Sequence, residues 1–172
     1  MFEIKSYLKR PQSTITDLND VVNFPERYFI EITDSLALKS VVEEWDYFYL
    51  DGAISMKYYD EKLMDFRLWD LIDQLWAYFL NVITEFIKKG EGSTYFPDQP
   101  VELMLKKVSN HSLEFTITGS KSMEVILPKD DFLIALLDGA EQFFTCMSDT
   151  FSSDCDYSNE LMEIENLRAS IV

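Results

Sequence analysis

Hydrophobic and polar positions follow two periods along this chain, and the places where the period changes mark the predicted elements. The first third runs mostly at period two. Its opening, MFEIKSYL, alternates weakly, as an edge strand does; RYFIEIT alternates better, setting Tyr28, Ile30 and Ile32 opposite Phe29, Glu31 and Thr33. Between them, STITDLNDVVNFPE predicts loop or a short helix. In EEWDYFYLDGAISMKYYD, Asp51 and Gly52 stand between two aromatic and β-branched runs. An Asp-Gly pair supplies the positive φ angles of a type I′ turn, so a hairpin is predicted there.

The period then lengthens. From residue 65 to 89, Leu68, Ile72, Leu75, Phe79, Ile83 and Phe86 recur at helical spacing, with Trp69, Trp76, Leu80, Val82 and Ile87 widening the apolar face. Arg67, Asp70, Gln74, Asn81, Glu85 and Lys88 project together as a polar stripe, and Gly90 and Gly92 stop the helix after Lys88 and Lys89. STYFPDQP follows as a turn over FPDQ. There Pro97 suits the second turn position, Pro100 holds Gln99 extended, and Tyr95 and Phe96 close the core edge. Alternation then returns through Val101, Leu103 and Leu105, through Leu113, Phe115 and Ile117, and through Met123, Val125 and Leu127, which predicts a meander over 101–127. Pro128 ends it. A second long helix is predicted over 130–151, acidic at its start, with Gly139 and Ala140 small enough for a close helix crossing. NELMEIENLRASIV predicts a last short helix.

These elements add up to an α+β fold: an antiparallel sheet of about five or six strands packed against two long helices. The expected core includes Trp69, Ile72, Trp76, Phe79, Ile83, Leu103, Phe115, Val125, Leu136 and Phe143. At 172 residues, 1–172 is read as one domain with an acidic C-terminal segment, 152–172. MFEIKSYLKRPQST contains no apolar run of signal-peptide length, and no segment approaches the roughly 18 apolar residues of a membrane span. A cytoplasmic location is expected. Cys146 and Cys155, lacking CxxC spacing, are expected to be reduced thiols.

Charge changes the picture most. Against 15 Lys and Arg stand 31 Asp and Glu, a net −16, which repels phosphate backbones and anionic lipid alike. Direct nucleic-acid or membrane binding is therefore not expected, and a basic protein partner is. Acid is concentrated at Glu43, Glu44, Asp46, Asp51 and Asp60, and again at Asp149, Asp154, Asp156, Glu160 and Glu163, so these ten form the candidate partner-binding set, in one patch or two.

Candidate chemistry is sparse. The single histidine, His111, lies in a polar turn and is expected to be solvated, and no glycine pattern writes a phosphate loop. DCDYSNELME lacks the glycine and terminal glutamate spacing of an EF-hand, and Cys146 falls at an apolar helix edge. No catalytic residue, cofactor or metal is expected. In size, acidity and lack of a catalytic motif the chain resembles antitoxins and immunity proteins, small cytoplasmic bacterial proteins that cover the nucleic-acid face of basic nuclease toxins. The resemblance is one of kind and carries no residue over. It implies a non-catalytic module that neutralises such a partner. A structural or oligomeric subunit, and an enzyme with a carboxylate or metal site, are the alternatives.

Overall fold

In the computed structural model, which describes residues 1–151 and 155–171, the fold is α+β: two antiparallel sheets and, among the described residues, five α-helices. β1 (Phe2–Lys9) lies between β2 (Phe29–Glu31) and β3 (Asp51–Tyr58). β3 also pairs with β4 (Glu61–Met64) and, at its start, with β5 (Asp70–Leu71). Two short helices, α1 (Leu18–Asn23) and α2 (Ser35–Ser40), lie in the connections around β2. The second sheet runs in chain order through β6 (Glu91–Tyr95), β7 (Glu102–Lys107), β8 (Ser112–Thr118) and β9 (Met123–Pro128). Around the sheets pack α3 (Ile72–Lys89), α4 (Lys129–Thr150) and α5 (Ser158–Ile171).

Local chemistry explains the two departures in the first half. β1, expected at an edge, is interior, with Tyr7 opposite Glu31 on one side and Ala53 on the other. Its alternation is weak because both faces are covered. Ser6 and Leu8 are buried, with Ser6 Oγ accepting the Trp76 indole N–H at 2.9 Å, while the Tyr7 ring packs edge-on against Phe66. Gly52 is not in a turn but inside β3, opposite Leu8. A Cβ there would run into the Tyr7 carbonyl oxygen and lie 2.7 Å from Ile72 Cγ2, so the residue serves close backbone approach, the other use of glycine in a strand. The reversal falls at Tyr59 and Asp60, with Tyr59 at φ 51°.

The long helix starts at Ile72 rather than residue 65. Asp65 Oδ1 accepts the Arg67 amide at 2.9 Å and holds residues 66–68 in a 3₁₀ turn, and Asp70–Leu71 pair with β3 before the helix begins. Its buried stripe includes Ile72, Leu75, Trp76, Phe79, Ile83 and Phe86. Leu103, Leu105, Leu113, Phe115, Ile117 and Leu127 project into the same core, where Phe115 and Phe132 rings lie 5.2 Å apart. Trp69 and Val125, expected in the core, are only partly buried: Trp69 flanks a small second cluster around Val21, Phe29 and Ala53, and Val125 sits on the edge strand β9. A Cβ added to Gly139 of α4 would lie 3.0 Å from both the Ile4 side chain of β1 and the Trp76 ring of α3, so glycine is what lets the helix pack this closely on them. On α5, Ile164 and Leu167 are buried, and Arg168 ties the helix to Asp138 and Glu141 of α4 at 2.6 and 2.7 Å.

The FPDQ segment connects β6 to β7, and its anchor is Asp70. Expected on a solvated helix stripe, Asp70 is only 2% exposed. Its carboxylate accepts the backbone amides of Leu71 at 2.7 Å and of Asp98 and Gln99 at 3.0 Å each, while the Gln99 side-chain amide donates to the Trp69 carbonyl. Phe96 is buried as expected, but Tyr95 stands 65% exposed because β6 turns it to the outer face of the sheet.

Two stability measurements follow from this packing. Phe79→Ala removes a fully buried ring and is expected to cost about 3–5 kcal/mol in denaturant unfolding. Asp70→Ala strands the Asp98 and Gln99 amides and is expected to cost about 3 kcal/mol, whereas a loss below about 1 kcal/mol would mean that water replaces the carboxylate.

Candidate functional site

The segment after α2 alternates anchored and projecting residues. A 3₁₀ turn at Val42–Glu44 leaves Glu43 and Glu44 exposed, with Glu44 Oε2 accepting from Gln12 Nε2 at 2.7 Å. Trp45 turns inward, donates its indole N–H to the Lys9 carbonyl at 3.0 Å and meets the Phe151 ring edge-on at 5.6 Å. Tyr47 packs on the same ring at 5.3 Å and donates its hydroxyl to the Val42 carbonyl. Asp46 Oδ1 accepts the Phe48 amide at 2.9 Å, an Asx turn that swings the next two side chains outward. Phe48 is 87% exposed and Tyr49 67% exposed, and Leu50 then returns to the core.

Phe151 closes α4, so its contacts with Trp45 and Tyr47 bring Asp149 to the same end of the molecule as Glu43, Glu44 and Asp46. The start of α3 arrives there through the Ile72 amide, which donates to the Leu50 carbonyl at 3.0 Å. α5 starts there as well: the Tyr157 ring lies 4.9 Å from that of Phe144, its hydroxyl is 3.5 Å from Asp73 Oδ2, and Asp156 Oδ1 caps the Ser158 amide at 3.0 Å. Seven of the ten candidate carboxylates therefore share one end: Glu43, Glu44, Asp46, Asp51, Asp149, Asp156 and Glu160. Asp60 does not join them, because β3 carries it to the far end of the strand. Glu163 lies along the flank of α5, accepting from Thr84 at 3.2 Å, and Asp154 lies outside the described residues. Two further carboxylates at this end, Asp73 and Asp98, were missed from sequence. Nothing local marked Asp98, and with the helix read from residue 65 Asp73 fell inside it rather than in its first turn.

A groove of about 380 Å³ opens beside the exposed aromatics, walled by Leu18, Tyr49 and Trp69 with Asp51, Asp98 and Arg67 at its sides. Burial raises the Asp51 pKa, Asp70 and Asp98 raise it further, and Lys9 opposes them. Asp73 is raised as well, chiefly by burial, with the Gln74 amide and Tyr157 hydroxyl opposing and Glu160 adding to the shift. Asp156 is lowered by its bonds to Ser158. An aromatic wall beside Asp51 and Asp98, partly offset by Arg67 in the same groove, can take a cationic side chain through cation–π attraction and charge neutralisation together. Among the described residues, no three of His, Cys, Asp and Glu are grouped to hold a metal ion, and no helix is long and apolar enough to cross a membrane. Comparison with protein-family models, curated proteins and solved structures gave no match.

The Asp51 shift has a definite sign in stability. A carboxylate whose folded pKa lies above its unfolded value weakens the fold above the folded pKa, and that penalty fades as pH falls through the window between the two values. Asp51→Asn is expected to raise the melting temperature at neutral pH, with the gain shrinking on acidification through that window. A gain that stayed constant with pH, or a loss at neutral pH, would contradict the burial-raised pKa of Asp51.

Proposed function

We propose that this protein binds and neutralises a basic protein partner, a toxin nuclease in the reading we favour, without itself doing chemistry, and that it does so in the cytoplasm. One observation carries the reading: Phe48 and Tyr49 project from a tethered turn whose neighbours Glu43, Glu44, Asp46 and Asp51 are all acidic. Exposed aromatic anchors bordered by charge are the composition of an interface hot spot and its rim. The surrounding acid supplies the encounter, since complementary fields speed association while repelling nucleic acid. The Asx turn and the Trp45 and Tyr47 anchors hold the aromatic pair in place before binding, which lowers the ordering entropy of the complex.

Any basic protein encoded by a gene neighbouring this chain's own is the partner to test, by stopped-flow association at low and high salt. Glu43→Lys with Glu44→Lys is expected to slow association by about tenfold or more at low salt and to flatten its salt dependence. Phe48→Ala is expected chiefly to speed dissociation, at a cost of about 2 kcal/mol. Asp60→Lys, at the far end of β3, is expected to leave both rates near wild type. Equal rates for the wild type and the Glu43/Glu44 variant would refute the acidic-end mechanism.

A further inference from the structure

The seam between the two sheets holds a second concavity, and its charge is opposite to that of the molecule. A cleft of about 440 Å³ lies between β4, the 3₁₀ turn after it and the β8–β9 turn, within the size range of small-molecule sites. Its walls are Leu63, Met64, Val101 and Ile117, all buried, with the flexible Met123 beside them. Three cations line it, Lys62, Arg67 and Lys121, against a single carboxylate, Asp65, which Arg67 already engages at 2.6 Å. Neither Lys62 nor Lys121 has an ion pair among the described residues. In a chain with 31 acidic residues and 15 basic ones, this is a local reversal of the field.

We propose that this cleft binds a small amphiphilic carboxylate with an aliphatic body. Each part of the lining selects for part of that ligand. The two exposed lysines suit an anionic head at the mouth, while the buried walls suit an apolar tail and the two methionines adapt to its shape. An inorganic anion would leave the apolar walls wet, and a neutral lipid would leave the lysines without a counter-charge. Among the described residues no aromatic ring lines the cleft, so a nucleotide base or other flat ring finds no stacking surface among them. The proposal does not rest on binding of a protein partner, although the cleft shares Leu18, Arg67 and Gln99 with the groove beside Tyr49.

Decanoate, used below its micellar concentration, is the probe, read by methionine-methyl NMR on the full chain. Saturable one-to-one binding is expected, shifting the methyl resonances of Met64 and Met123, weakened by added salt and stronger than binding of decanol. Lys62→Glu with Lys121→Glu is expected to weaken decanoate about tenfold or more while leaving decanol unchanged. Circular dichroism of the variant checks its fold, and Lys62→Gln with Lys121→Gln, a milder pair at the same exposed positions, is expected to give an intermediate loss. Absence of a saturable shift at Met64 and Met123 would overturn the proposal. So would equal affinity for decanoate and decanol, or decanoate binding that neither lysine pair alters.

Discussion

The Asp70 carboxylate holds the two sheets in one arrangement. It stands in a two-residue strand of the first sheet, yet two of its three amide donors belong to the loop joining β6 to β7 of the second. A buried carboxylate requires donors, and the backbone amides at Asp98 and Gln99 require acceptors, so the contact is favourable only when both sheets are in place. Gln99 adds a reciprocal bond to the Trp69 carbonyl. The groove beside Tyr49 and the cleft beside Lys62 adjoin this joint and share Leu18, Arg67 and Gln99, so both concavities take shape from it.

A second constraint, the aromatic junction at Phe151, organises charge rather than sheets. Acid on the outside of this end is tolerated because apolar contacts underneath, of Phe151 with Trp45 and Tyr47 and of Tyr157 with Phe143 and Phe144, hold like charges together against their repulsion. Asp51 and Asp73 are raised chiefly by burial, with smaller contributions from Asp70 and Asp98 at Asp51 and from Glu160 at Asp73.

Sequence periodicity showed the meander, the two long helices and the closing helix well, because Leu103 and Leu105, or Phe79 and Ile83, are buried by the same face that sets their spacing. It failed where a residue's role is settled by a partner far along the chain. Asp70 fitted a helical polar stripe, and only amides 28 and 29 residues later reveal it as a buried anchor. Gly52 followed an aspartate and resembled a turn, while its close neighbours are Tyr7 and Ile72. The same limit divided the candidate site. Asp51 and Asp60 are near in sequence but are separated by the length of β3, whereas Glu43 and Asp149 are remote in sequence and are joined through Phe151. Charge counting identified the acidic segments but had no means of orienting them.

The contact of Gly139 with Ile4 and Trp76 has a consequence for how the protein is made. β1 leaves the ribosome before the rest of the fold, yet its inward face is closed by α4, near residue 139. Until that helix has been synthesised, β1 can pair with β3 but leaves its apolar side uncovered. The second sheet, whose strands are each joined to the next by a short connection, can form from local contacts alone. β1, made before α4, is therefore not fully covered until α4 has been added, and during that interval its apolar face is open to misassociation.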